Sequence, residues 1–323
     1  TFRIDEKKQP PGALDVEVCR VLLPPDDTPL AAAADVFRPG LGELDLRYRQ
    51  PAQLRPQATV RVAYATTGLP LEDARIHRSL TSLLAATQAL YPTLQGDREV
   101  AAITLGDPPS SDLTETANAV NAAALEACDF LYLTHRQALS LSSRAIAQLQ
   151  QYLHHGGGVF VELPSRDGNF EEMQTVAGEL ATAVADLQGS PRFVELRSQL
   201  ESELAAVTHN LDGRLANAQR SLLHHVYGDD ASPQLQAPDD DHPLRQTPFA
   251  FSQWPIIRTE SIRLYAHQGL ILSIGDLSHA WAASSDLGLS RERVRAAQEL
   301  GINLLHFARQ RHHWTQAQQP PPD

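Results

Sequence analysis

Lysine is almost missing from this chain: it occurs at Lys7 and Lys8 only, so arginine carries the rest of the positive charge. Lysine and arginine together number 27 against 39 aspartates and glutamates, a formal charge of -12. Nucleic-acid binding requires clustered cations that neutralise phosphates, so this balance excludes a broad basic footprint and no nucleic-acid partner is expected. Cysteine is equally scarce. Cys19 and Cys128 stand far apart and match neither a ligand spacing nor a redox pair, which excludes a disulfide framework and predicts a reducing, cytoplasmic setting. No apolar run approaches the roughly 20 residues that span a bilayer, and no basic-then-apolar signal opens the chain, so membrane insertion is not expected. Met173 is the single methionine and the chain opens on Thr1, read either as a trimmed initiator or as a start that is not the gene's own.

What is present is an ordinary globular composition. Hydrophobic residues make up 42% and charged residues 20% of 323 residues, enough chain for one large domain or two smaller ones. The first stretch, 1–58, differs from the rest. Val16 to Leu23 alternates like a strand and stops at Pro24-Pro25, and one further strand candidate, Leu44 to Tyr48, sits among prolines. Such a segment cannot bury a core alone, so it is read as a short β-containing arm, a linker, or the end of a truncated domain.

From Thr59 the pattern alternates. Val60 to Ala65, Val100 to Leu105, Phe130 to Leu133 and Val159 to Val161 read as apolar strands; His77 to Leu94, Thr114 to Ala127 and Ser142 to His154 read as helices between them. Near-continuous apolar strands separated by helices predict an α/β fold, a three-layer, mostly parallel flavodoxin/amidotransferase-like sheet with helices on both faces, over 59–313. Phe170 to Leu187 and Glu195 to Leu211 are further helices, and Tyr227 to Pro248 is an acidic, proline-rich loop. Ser261 to Ala266 and Leu270 to Ile274 form a strand pair, and Arg291 to Phe307 is the last helix. Residues 314–323 form a polar tail read as disordered.

In open parallel sheets ligands bind beyond the carboxyl ends of the strands. Those ends bring forward Thr66 and Thr67, Thr134, His135 and Arg136, Gly106-Asp107, and the run Glu162 to Asp167; the stretches around Asp241-His242 and Asp276 to Trp281 are expected to close over the same edge. The run Gly156-Gly157-Gly158 precedes a strand, so it reads as a helix stop, not a phosphate loop, and with no Walker or dinucleotide motif no cofactor is expected. Acid/base chemistry points to Glu162, Ser165, His242 and Asp276, with Asp241, His242 and His279 as metal-ligand candidates. Ser165 lacks the glycines that flank a nucleophile elbow. For ligand contact the candidates are Thr66, Thr67, Thr134, His135, Arg136, Glu162, Asp276 and Trp281, the last as a stacking platform or as core.

These residues carry a resemblance. Phe130-Leu131-Tyr132-Leu133-Thr134-His135, Gly156 to Glu162, Asp241-His242-Pro243-Leu244, Gly269 to Asp276, Trp281 and Gly301-Ile302-Asn303-Leu304-Leu305 appear in the order found in family 4159 of domains of unknown function. The segment from Val60 to about His312 resembles that family, which implies a class I glutamine-amidotransferase-like fold. True amidotransferases present a catalytic cysteine where this chain has Glu162-Leu163, so the resemblance implies a cleft without glutaminase chemistry. The N-terminal runs Thr1 to Glu6 and Val16 to Leu22 are similar to the end of a domain in cyanobacterial proteins that carry this family at their C-terminus. That likeness implies a fragment or processed form of a longer protein, related to proteins encoded with phage-tail-like contractile injection systems. The expectation is a non-catalytic structural or interaction module with protein partners or copies of itself, against two alternatives: a hydrolase, metal-dependent or not, built on the Glu/Asp/His group, and a small-ligand sensing domain.

Overall fold

The computed structural model describes residues 58–97, 99–106, 115–228, 234–257, 260–282 and 288–318. The expected arm at 1–57 with its strands at 16–23 and 44–48, Cys19, Asp107 and tail residues 319–323 lie outside the described residues.

The chain enters on β1 (Ala58–Val60) and passes through Arg61 into β2 (Val62–Ala65), then α1 (Pro70–Leu90), β3 (Leu94–Gly96), β4 (Ala101–Ile103) and α2 (Glu115–Ala127). It continues through β5 (Phe130–Thr134), α3 (His135–Ser140), α4 (Ser143–His154), β6 (Gly158–Leu163), α5 (Phe170–Asp186) and α6 (Val194–Tyr227). The last part is α7 (Pro243–Gln246), β7 (Ile256–Ile257), β8 (Glu260–Ser261), β9 (Arg263–His267), β10 (Leu270–Ile274), α8 (Leu277–Trp281) and α9 (Arg291–Gln318). The main sheet runs β4-β2-β5-β6-β10-β9, parallel except for β9, which pairs antiparallel with β10. Gln268 and Gly269, both at positive φ, make the tight turn between those two strands. The chain moves one way from β2 to β4 and the other way from β4 to β5, so the order reverses between β2 and β5.

The strands are buried because their alternate side chains feed two separate cores. Val62, Tyr64, Phe130, Tyr132, Phe160 and Ile271 pack with residues of α1, α8 and α9. Ala63, Leu131, Leu133, Val159, Val161 and Leu272 pack instead with residues of α3, α4 and α6. The run of three glycines follows from this packing. Gly156 takes φ 92 just past α4, a Cβ on Gly157 would lie 2.2 Å from the Tyr152 ring, and one on Gly158 would lie 2.6 Å from Ala308.

Several boundaries differ from the sequence reading, and helix α6 continues past its expected end at Leu211 to Tyr227. Helix α1 begins at Pro70, not His77, because proline suits the first helical position, and it ends at Leu90, ahead of Pro92. Leu94, expected as the end of that helix, instead opens β3 (Leu94–Gly96), parallel to β1. Helix α9 runs to Gln318, so residues 314–318 of the expected tail are helical. Its extra turns are held by tertiary contacts. His312 Nδ1 lies 2.7 Å from the buried Asp129 carboxylate, Gln316 Nε2 lies 2.8 Å from His312 Nε2, and Arg311 donates to the Leu153 carbonyl at 2.7 Å.

Candidate functional site

Beyond the carboxyl ends of the strands lies a cleft of about 220 Å³, lined by Glu72, Arg75, Thr134, Arg136, Pro164, Asp167, Asp276 and His279. It is built from the ends of β5, β6 and β10 together with the first turns of α1 and α8, the place a parallel sheet reserves for ligands.

Its floor is a buried polar network. Glu162 ends the row begun by Phe160 on β6 and is fully buried. One carboxylate oxygen accepts the Ser278 backbone N–H at 2.8 Å, closing the first turn of α8, and the other accepts the Tyr132 hydroxyl at 2.5 Å. The Tyr132 hydroxyl also lies 3.5 Å from Ser278 Oγ. Burial, then the Glu162 charge, pushes the Tyr132 phenol well above its ordinary range, so it stays a donor. Above the floor, Arg75 donates to Ser278 Oγ at 3.1 Å and lies 3.4 Å from His279 Nδ1, joining α1 to α8. Arg75 and Glu72 were invisible to strand-end reasoning because they belong to a helix expected to start at His77. The signal that could have found them is Pro70 as a first helical residue, which places both in the turns nearest the sheet edge.

Of the residues anticipated from sequence, Thr134, Arg136, Pro164, Asp167, Asp276 and His279 line the cleft. Thr134 also forms a capping box with Gln137 at the start of α3. Thr66 and Thr67 serve the fold instead: Thr66 Oγ1 lies 3.2 Å from Thr104 Oγ1, and Thr67 donates from both its backbone N–H and its hydroxyl to Asp73 at 2.7 Å. His135 turns toward α6, where burial lowers its pKa while the Ala218 backbone and Asp167 partly offset the shift. Ser165 opens a one-turn 3-10 segment past Pro164, and no hydrogen bond joins it to a histidine among the described residues.

Of the two roles read for Trp281, the core is the one it takes: it is fully buried, packs on Phe160 and donates its indole N–H to the Ala297 carbonyl at 2.9 Å. One expectation is corrected. The described part of the acidic loop, 234–248, does not line the cleft. Asn303 bonds the backbone of Leu244 and Phe249 and holds the loop on α9, while His242 caps α7 through Leu244 N–H at 3.1 Å and packs at a tilt against Phe307. Phe307 lies roughly 15 Å along α9 beyond Ala297, toward the sheet end where Ala308 meets Gly158. Asp241 and His242 therefore share no site with Glu162 or His279. Among the described residues no group of three or more His, Cys, Asp or Glu is placed to hold a metal ion. Burial lowers the His242 pKa, with Asp239 opposing.

A mostly parallel α/β sheet with a polar cleft beyond its carboxyl edge defines the class of this protein. Within that class the chain belongs to the family described as Domain of unknown function (DUF4159), which it matches over residues 110–308, more than half its length. Neither the curated proteins nor the solved structures contain a significant match. No helix of the described residues is long and apolar enough to cross a membrane.

Proposed function

We propose that this chain is a non-catalytic structural or protein-interaction module: a three-layer amidotransferase-like body with a degenerate cleft. The observation that carries the reading is Glu162. It stands at the end of β6, where the amidotransferase resemblance puts a nucleophile. Yet it is fully buried, with both carboxylate oxygens committed to Tyr132 and Ser278. A side chain that closes a helix turn from beneath the cleft is not available to attack or protonate a ligand. The hydrolase alternative groups Glu162, Asp241, His242, Asp276 and His279; Asp276 and His279 line the cleft, but Glu162 is committed beneath it and His242 caps α7 against α9. The N-terminal resemblance makes a phage-tail-like contractile assembly the first partner to test.

The cleft supports a second reading, a small-ligand sensing domain, because Arg75 and Arg136 line it beside Glu72, Asp167 and Asp276. Sedimentation of the native protein from a gently lysed source separates the two. Co-migration with a large particle containing sheath or baseplate proteins supports the assembly role, and a free monomer refutes it and leaves the cleft.

A further inference from the structure

Between Glu172 and Asn210 no residue is buried. This stretch comprises nearly all of α5, the turn at 187–193 and the first half of α6. Helix α6 has 34 residues, about 50 Å of helix, and only its second half, from Leu211, contributes buried side chains. The first half pairs with α5. The result is a two-helix hairpin rooted at Phe170 and Leu211, rising from the loop that follows Glu162.

The hairpin's own seam is regular. On α6 the half-buried positions are Arg197, Leu200, Leu204 and Val207, leading to the buried Leu211 and Leu215. They recur at steps of three and four, the spacing of a helix-packing seam. On α5 the matching positions are Met173, Ala177, Leu180 and Val184. Two helices alone cover only one side of such a seam, so these apolar residues keep part of their surface in water. Near the turn the exposure increases, with Phe193 46%, Val194 54% and Leu196 46% exposed; closer to the root, Val176 on α5 is 43% exposed. Scattered exposed apolar residues need no explanation, but of the nine large ones among the described residues four belong to this hairpin.

Charge indicates what covers it. Residues 172–210 carry Glu172, Glu179, Asp186, Glu195, Glu201 and Glu203 against Arg192 and Arg197. The six acids are all exposed, and Arg197 already pairs with Glu201 at 3.3 Å. A second copy of the hairpin would bring two acidic rims together, which disfavours self-association. We propose that the hairpin is a docking arm for a protein partner that presents an amphipathic helix, with an apolar stripe flanked by basic residues. Such a helix lies along the open side of the seam, meets Phe193 and Leu196 with its stripe, and completes a three-helix bundle inside a complementary acidic rim. This assignment rests on the interaction-module reading and names the surface that reading leaves open.

The test uses the full chain. It is titrated with a synthetic amphipathic helix of leucine and lysine, about 18 residues or five turns, and separately with a scrambled peptide of the same composition. Saturable one-to-one binding of the amphipathic peptide is expected, about tenfold tighter than the scrambled one, and weakened about tenfold in the double variant F193S/L196S. It should also weaken as the screening length falls from about 10 Å at 0.1 M salt to about 3 Å at 1 M. Equal affinity for both peptides, an unaffected double variant, or no binding overturns the assignment. So does a dimer in sedimentation equilibrium that the double variant dissolves, because the occupant is then a second copy. The two proposals fail separately. If F193S/L196S still co-migrates with a large particle, the interaction reading stands and the hairpin is not its arm. If the unmodified protein does not co-migrate, the interaction reading falls and the peptide titration still decides the chemistry of the hairpin.

Discussion

Glu162 offers the sharpest test of the reasoning. Replacing it by alanine leaves the Ser278 N–H and the Tyr132 hydroxyl without their acceptor in a site closed to water, and removes a negative charge from beneath Arg75. Hydrogen bonds to a charged group contribute about 1.5–3 kcal/mol each, and breaking a buried charged cluster by removing one member typically costs about 3–5 kcal/mol. E162A should therefore lose about 3–5 kcal/mol, a drop in Tm of roughly 10 °C for a domain of this size. E162Q should lose only about 1 kcal/mol: its amide oxygen still accepts from Ser278, and the Tyr132 hydroxyl can accept from the amide while donating toward Ser278 Oγ. Urea unfolding followed by circular dichroism measures both. An E162A protein within about 1 kcal/mol of the parent would show that the network does not hold the fold. A stabilised E162A would be more damaging, because residues kept for chemistry at a cost to stability behave that way.

Further outcomes follow from other parts of the structure. Asp129 accepts the Arg61 N–H at 2.8 Å, faces His312 at 2.7 Å and lies 3.7 Å from Arg309. D129A should therefore lose about 3 kcal/mol or more in the same assay, and a loss near zero would mean the end of α9 is not anchored there. Burial pushes the Cys128 thiol up to about 12, so in a Cys19→Ser background Cys128 should resist thiol reagents at about pH 8 until the protein is unfolded. Reaction in the native state at the rate of a free thiol would refute its sealed placement. Burial lowers the pKa of His135, His242, His267 and His306. The unfolded chain therefore takes up protons first as pH falls below about 6.5, so stability is full above that pH and declines below it until the folded-state values are reached. The urea midpoint should fall from neutral toward mildly acidic pH, with a flatter profile in a His135→Gln/His306→Gln variant. An unchanged slope in that variant would contradict the assignment.

Much of the architecture was legible because it is local. The strands at 130–133, 159–161 and 270–274 are recognisable from continuous apolar runs, since a strand buried on both faces has no polar side to show. Helix α4 is marked by Gly156 after it, which ends it at positive φ as read, while Ser142, read as its first residue, caps it instead. The strand-end rule likewise pointed to Thr134, Arg136, Asp276 and His279, because the edge where parallel strands end is known once their direction is known.

What the sequence by itself determined, then, is the type and order of the main elements and the edge at which a cleft forms, since both depend on periodicity and chain direction. The tertiary structure decided which polar residues face that cleft and which are spent holding the fold. Glu162, Trp281 and His242 look alike in sequence as residues near a strand end or in a polar loop. One caps a helix from below, one fills the core, and one is carried to the middle of α9 by Asn303. The hairpin lies in the same category. The helices at 170–187 and 195–211 are readable from their periodicity, but that none of residues 172–210 is buried is a fact of packing, and only the folded arrangement contains it.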